Sequence, residues 1–136
     1  MIQSAIELEL FDTVQATWNL LEPSSGDALA RAHAAGLTVI VKEALANGRL
    51  TDRGDQPALV HAASARGLSA DSLAISAVLA QPWADIVLSG AVTVDTLTSN
   101  LAARTGHWDS ELAALATELA IPAPVYWQER SQRSWS

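Results

Sequence analysis

At 136 residues the chain suits one domain that buries roughly two-thirds of its surface on folding. Hydrophobic residues make up 49% and charged residues 17%, which excludes a disordered chain, and a formal net charge of −7 argues against a nucleic-acid or anionic-membrane surface, where Lys and Arg neutralise phosphates. The absence of cysteine removes a disulfide framework, a thiolate nucleophile and a Cys-based zinc site.

Ile2 to Leu8 has helical spacing (Ile2, Ala5, Ile6) with no N-cap before it, so the chain is expected to open inside a helix. This opening is acidic and amphipathic, unlike a signal peptide, and no apolar run approaches the ~20 residues of a membrane span, so the expected setting is the cytoplasm. Thr13 to Trp18 reads as a strand, closed by a break at Pro23 and Ser24-Ser25-Gly26. Asp27 to Ala35 reads as a helix with Ala28, Leu29, Ala32 and Ala35 on its buried side and Gly36 as its C-terminal cap. Leu37 to Val41 is a second, strongly apolar strand, and Lys42 to Thr51 a long loop ending near Gly54 and Pro57. Pro57 fits the first position of a helix running through Ala65, closed by Arg66-Gly67. Ser69 or Asp71 starts another, with Leu73, Ala74, Ala77 and Val78, that stops before Pro82.

Ile86, Val87 and Leu88 form a continuous apolar run, the pattern of a central parallel strand covered on both faces. The small residues Ser89, Gly90 and Ala91 follow, and then Thr93, a plausible N-cap, with Asp95 in the first turn and Val94, Leu97 and Leu101 along a helical face. A helix start facing the carboxyl end of a parallel strand is a phosphate site in outline, because its free N–H groups and partial positive charge point at the ligand. The competing reading is an ordinary strand-to-helix turn. Asp109 caps a last helix, Ser110 to Ala120, and Pro122 and Pro124 lead into a tail, VYWQERSQRSWS, in which Tyr126 is read as packing.

Strands separated by helices imply right-handed crossovers and a parallel sheet. Three strands make neither a comfortable doubly wound sheet nor a closed barrel, since a (β/α)8 barrel needs eight strands and ~250 residues. The expected fold class is therefore α/β, about three parallel strands with flanking helices, as one partial domain over residues 1–136.

Three segments in order resemble the C-terminal half of an aldo-keto reductase, a (β/α)8 TIM-barrel oxidoreductase family. LFDTVQATWNLLEP is similar to the family's sixth strand, with its Gln, aromatic, Asn and Leu. GLTVIVKEALANGRLT is similar to the seventh strand and the loop after it. AISAVLAQPWADIVLSGAVTVDTLTSNLAA is similar to the helix, eighth strand and cofactor-phosphate helix. The resemblance implies a nicotinamide dinucleotide, with Gln15 (buried by pattern, so that a hydrogen bond to backbone is its competing role) on the nicotinamide carboxamide and Leu45, Asn47 and Arg49 along the pyrophosphate loop. It places Ser89, Gly90, Ala91, Thr93, Leu97 and Asn100 around the adenosine phosphate and adenine. Lys42 stands where many members carry an aromatic that stacks on nicotinamide; its charge suits a phosphate instead, or a solvated pair with Glu43 at a strand end. Glu43, in place of a Ser, would repel a phosphate unless Lys42 or Arg49 neutralises it. Val92 replaces an Arg that often grips the 2′-phosphate, which leaves NADP and NAD both open.

The family's catalytic Asp, Tyr, Lys and His come from the first four strands of the barrel, which this sequence does not match, so no catalytic residue is assigned. His33, His61 and His107 have no metal-site spacing, and Ser24, Ser25 and Ser134 have no His and Asp in a recognisable order. The chain is expected to carry the cofactor-binding half of a carbonyl reductase, or a truncated product of one, and to reduce no carbonyl by itself. The alternative is a non-catalytic half-barrel binding or assembly module, whose exposed sheet edges would pair with a second copy or with a complementary half-barrel. Ala-rich helices bury little area each, so marginal stability is expected, with Trp18, Trp83, Trp108, Trp127 and Trp135 adding packing surface.

Overall fold

The computed structural model describes residues 1–133; Ser134 and Trp135, considered above, lie outside the described residues. Three parallel strands, β1 (Thr13–Thr17), β2 (Thr38–Lys42) and β3 (Ile86–Val87), form a sheet in the order β1-β2-β3. Thr17 lies opposite Lys42, and Val41 opposite Val87, so the carboxyl ends of all three strands open on one side. Helix α1 (Ile2–Leu8) precedes β1, and α2 (Gly26–Ala34) links β1 to β2. Two helices, α3 (Pro57–Ser64) and α4 (Ala70–Leu79), link β2 to β3. After β3 come α5 (Val94–Leu101), α6 (Ser110–Leu119) and α7 (Ala123–Gln132). Among the described residues no helix is long and apolar enough to cross a membrane.

The helix ends follow from their sequence signals. Gly36, at φ +92°, lets the chain turn back after α2 so that its N–H donates to His33 O (3.0 Å) and Leu37 N–H to Ala32 O (3.1 Å), which satisfies two orphan carbonyls. Ser69 and Asp109 cap α4 and α6 through their side-chain oxygens, on the N–H groups of Ser72 and Leu112. Thr93 and Thr96 form a reciprocal capping box at α5.

Two apolar clusters share α4, which is buried from Ala70 through Val78. One holds Leu20, Leu21, Leu50, Leu59, Leu73, Leu112 and Tyr126. The other, under the sheet, holds Trp18, Leu29, Val39, Val41, Ile75, Val78 and Trp83. The small side chains of α4 permit this double role, because helices can approach its backbone closely on both sides. Gly106 shows how close: a Cβ there would stand 2.2 Å from Ser76 Oγ, which itself donates to Ala103 O (2.9 Å).

Two expectations are corrected. β2, not β3, is the central strand, with Val39 and Val41 fully buried; Ile86 and Leu88 are 46% and 44% exposed because β3 has a neighbour on one side only. The tail is also not irregular, since 123–132 form α7, with Pro124 in the first turn where a missing N–H costs nothing. Of the tryptophans, Trp18 and Trp83 are buried, Trp108 packs against the first cluster and Trp127 is half exposed.

Candidate functional site

The carboxyl ends of parallel strands collect the loops on which a ligand site can be built. At the end of β1, Asn19 is fully buried and uses its whole amide. Its Oδ1 accepts from the N–H groups of Leu21 (3.0 Å) and Glu22 (2.9 Å), while Nδ2 donates to Glu43 O (2.9 Å) and to the Tyr126 hydroxyl (3.1 Å). This one side chain ties the exit of β1 to the exit of β2 and to α7. Burial pushes the Tyr126 phenol above its ordinary value, although the Asn19 hydrogen bond works the other way.

At the end of β2, Glu43, Ala46 and Asn47 have φ of 55°, 48° and 55°, a left-handed cluster of non-glycine residues in which strain is concentrated. Glu43 holds this loop down. Its carboxylate accepts from the Arg130 guanidinium (2.8 Å), with the Tyr126 hydroxyl at 3.5 Å. The neutralising partner of Glu43 is thus Arg130 on α7, not Lys42 or Arg49 as the sequence suggested. The long-range return of α7 brings it there. Arg49 is engaged elsewhere, with Asp55 (3.0 Å) and Glu129 (2.9 Å). Burial raises the Asp55 carboxyl, yet hydrogen bonds from Gln56 and Arg49 outweigh it and hold that group below the usual range.

The residues singled out from the sequence fall into three places. Gln15 and Lys42 line one open hollow of about 480 Å3 over the ends of β1 and β2, together with Thr17, Glu22, Ser24, Ser25 and Trp127. Gln15 is exposed rather than buried, because it alternates outward from Val14 and Ala16 on a strand with a free edge. Leu45 packs against both apolar clusters, while Asn47 is exposed and shares a shallow depression with Arg49, Tyr126 and Arg130. Ser89, Leu97 and Asn100 meet in a cleft of about 180 Å3 with Ile75, Leu79, Val87, Leu101 and Arg104. Gly90 (φ +64°) and Ala91 form the turn above this cleft, and exposed Thr93 caps the helix that leaves it.

Asn100 organises that cleft. It is only 4% exposed; Nδ2 donates to Ser89 O (3.1 Å), and Oδ1 has no hydrogen-bond partner among the described residues. A buried amide oxygen left in this state favours a ligand that brings an N–H or O–H donor. Arg104, one turn beyond Asn100, supplies the cation at the rim. Its i, i+4 spacing from Asn100 was the signal available in the sequence. Thr17 and Glu22 also carry unpartnered buried oxygens, and neither was singled out by motif.

No family model and no curated protein matches the sequence. Solved structures do match. An aldo-keto reductase from Bacillus halodurans superposes with a TM-score of 0.72 in its apo form (18% identity) and 0.71 in its holo form (19% identity); both cover 90% of this chain, and 48% and 47% of theirs. A putative 2,5-diketo-D-gluconic acid reductase B gives a TM-score of 0.74 at 25% identity, over 90% of this chain and 42% of that one. The fold is that of an aldo-keto reductase. The chain spans less than half the length of these structures, an extent that fits the C-terminal half of the aldo-keto reductase chain. The three parallel strands and their flanking helices match about half of such a chain.

Proposed function

We propose that this chain supplies the dinucleotide-binding half of an aldo-keto-reductase-like oxidoreductase that reduces carbonyl compounds with NADPH or NADH in the cytoplasm. Asn100 is the observation that carries the reading: a buried amide with a free acceptor, in an apolar cleft between the end of β3 and the C-terminal half of α5, suits the amino edge of an adenine ring. Leu97 would cover the ring face, and Ser89, Gly90, Ala91 and Thr93 would border the adenosine phosphate. Gln15 and Lys42 would face the nicotinamide end, with Leu45, Asn47 and Arg49 along the pyrophosphate. Arg49 would reach a phosphate only by releasing Asp55 or Glu129. With exposed Val92 at the turn, Arg104 is the cation available beside the cleft, and the reading leaves NADP and NAD both open.

When bound, the dinucleotide supplies the hydride. The residues of this chain bind and orient it. Tyr126 does not serve as proton donor in this reading, because its hydroxyl is buried and shared between Asn19 and Glu43. The proton-transfer groups are assigned to polypeptide outside these 136 residues. Titration with NADPH and with NADH, followed by thermal unfolding, tests the binding. At about 100 times Kd, a ligand selective for the folded state adds ~2.7 kcal/mol. A melting temperature unmoved by either dinucleotide overturns the reading. So does aldehyde turnover by the pure chain, which would put the chemistry inside it.

The second reading, a non-catalytic half-barrel assembly module, rests on the sheet order. β1 and β3 each present a free main-chain edge, and Ile86, Leu88, Leu97 and Leu101 expose apolar surface along the β3 side. A mass by size-exclusion light scattering that rises with concentration favours it; a concentration-independent monomer removes it.

A further inference from the structure

Polar contacts rather than apolar packing set the position of Asn100. It is the only buried residue of α5, while Leu97 and Leu101 on the same helix are 45% and 52% exposed. What seats α5 is a row of short polar side chains along α4. The Ser99 hydroxyl donates to Asp71 Oδ2 (2.6 Å), and the Ser72 hydroxyl donates to Ser99 O (2.6 Å). Ser69 Oγ, the cap of α4, stands 2.8 Å from Ser72 Oγ and 3.0 Å from Ser99 Oγ, so the three hydroxyls form one connected group. One turn on, Ser76 Oγ lies 2.8 Å from Ser72 O and 2.9 Å from Ala103 O, and carries the contact past the end of α5. Asp71 is 8% exposed and makes no ion pair among the described residues. Its place in the first turn of α4 offsets part of the cost of burying a carboxylate.

We infer that Asp71 is a positioning residue for adenine, acting through Ser99 on Asn100. This role presupposes the dinucleotide reading above and adds to it the group that makes the adenine contact selective. Ser99 and Asn100 are consecutive, so about 100° of helix separates their side chains. Ser99 is held by α4, and Asn100 Nδ2 reaches across to Ser89 O (3.1 Å). Fixing Ser99 therefore fixes the rotation of α5 about its axis and, with it, the direction of the Asn100 amide. With Nδ2 spent on Ser89 O, Oδ1 is left to accept, and the exocyclic amino group of adenine donates. A base that carries a carbonyl in that place sets acceptor against acceptor. A hydrogen bond to a carboxylate is stronger than one between neutral groups, and this is what Asp71 adds to the serine row. Were α5 free to turn, the amide would lose its fixed direction and the preference would vanish.

The test is calorimetric titration of the full 136-residue chain with NADH and NADPH, each alongside its hypoxanthine analogue, in which a carbonyl replaces the adenine amino group. The wild type binds the adenine form about tenfold more tightly, and Asp71→Ala brings the two forms within about twofold of each other. Asp71→Asn keeps an oxygen for the Ser99 hydroxyl and retains the preference. Ser99→Ala removes the same bond at a half-buried helix position, where alanine favours the helix. It therefore folds, and shows the same loss of preference should Asp71→Ala prove unstable. A purely structural Asp71 would lower the melting temperature and weaken both forms alike. A preference that survives in Asp71→Ala and Ser99→Ala overturns this role and leaves the dinucleotide reading standing. So does a wild type that binds both forms equally well. A wild type that binds no dinucleotide overturns the reading and this role together.

Discussion

The side-chain amide of Asn19 donates to the hydroxyl of Tyr126 at 3.1 Å across 107 positions of sequence. That bond sits among three others from the same amide, all at the carboxyl end of the sheet. Asn19→Ala is therefore expected to leave the N–H groups of Leu21 and Glu22 without their acceptor and to cost about 3 kcal/mol. Tyr126→Phe keeps the packing and removes the bond from Asn19 together with the longer one to Glu43 (3.5 Å), a loss of about 1 kcal/mol. Urea unfolding of the two variants distinguishes these magnitudes.

Asp85 gives the fold a pH dependence of defined sign. Its Oδ2 accepts from the Val39 N–H (2.8 Å) and meets His33 Nδ1 (3.2 Å). The Val39 bond, with His33 assisting, holds the Asp85 carboxyl below its usual value despite partial desolvation. A carboxyl lowered on folding contributes stability above its unfolded value and loses it as pH falls through the folded one. Thermal melts taken downward from about pH 5 should show this loss in the wild type, and Asp85→Asn should flatten it.

Two glycines separate steric from backbone requirements. Gly106→Ala drives a Cβ into Ser76 Oγ at 2.2 Å, where α4 meets the turn after α5, and is expected to cost about 2 kcal/mol. Gly90→Ala meets open space but retains φ +64°, so it is expected to cost only about 1 kcal/mol. The melting temperatures of the pair should fall in that order.

Asn100→Ala removes both the tie to Ser89 O and the free acceptor of the cleft. Dinucleotide affinity should fall about tenfold, a loss of ~1.4 kcal/mol, as read by calorimetry. Equal affinity in wild type and variant would detach Asn100 from the ligand.

Where local chemistry decides, the sequence was readable. Gly36 after an apolar helical face, Ser69 and Asp109 ahead of helices, and Thr93 at α5 all end or begin elements where their side chains and φ preferences require. Where tertiary partners decide, it was not. The run Ile86 to Leu88 is apolar enough for a central strand, and nothing local reports that β3 lacks a second neighbour. Polar α7 has little apolar periodicity, and its position is set by Tyr126 and Arg130 reaching Asn19 and Glu43. Glu22 follows Leu20 and Leu21 with no motif of its own, so its burial became legible only once Asn19 had folded the chain around it.

The indoles of Trp18 and Trp83 meet edge to face, with centroids 5.7 Å apart and planes at 76°, inside the cluster beneath the sheet. Tyr126 and Trp127 make a similar T-shaped contact beside the other cluster, 5.2 Å apart. Such rigid chromophore pairs couple excitonically. Near-ultraviolet circular dichroism of Trp83→Phe and Trp127→Phe would thus assign a separate optical signal to each half of the interior, and would reveal whether the two melt together or in sequence.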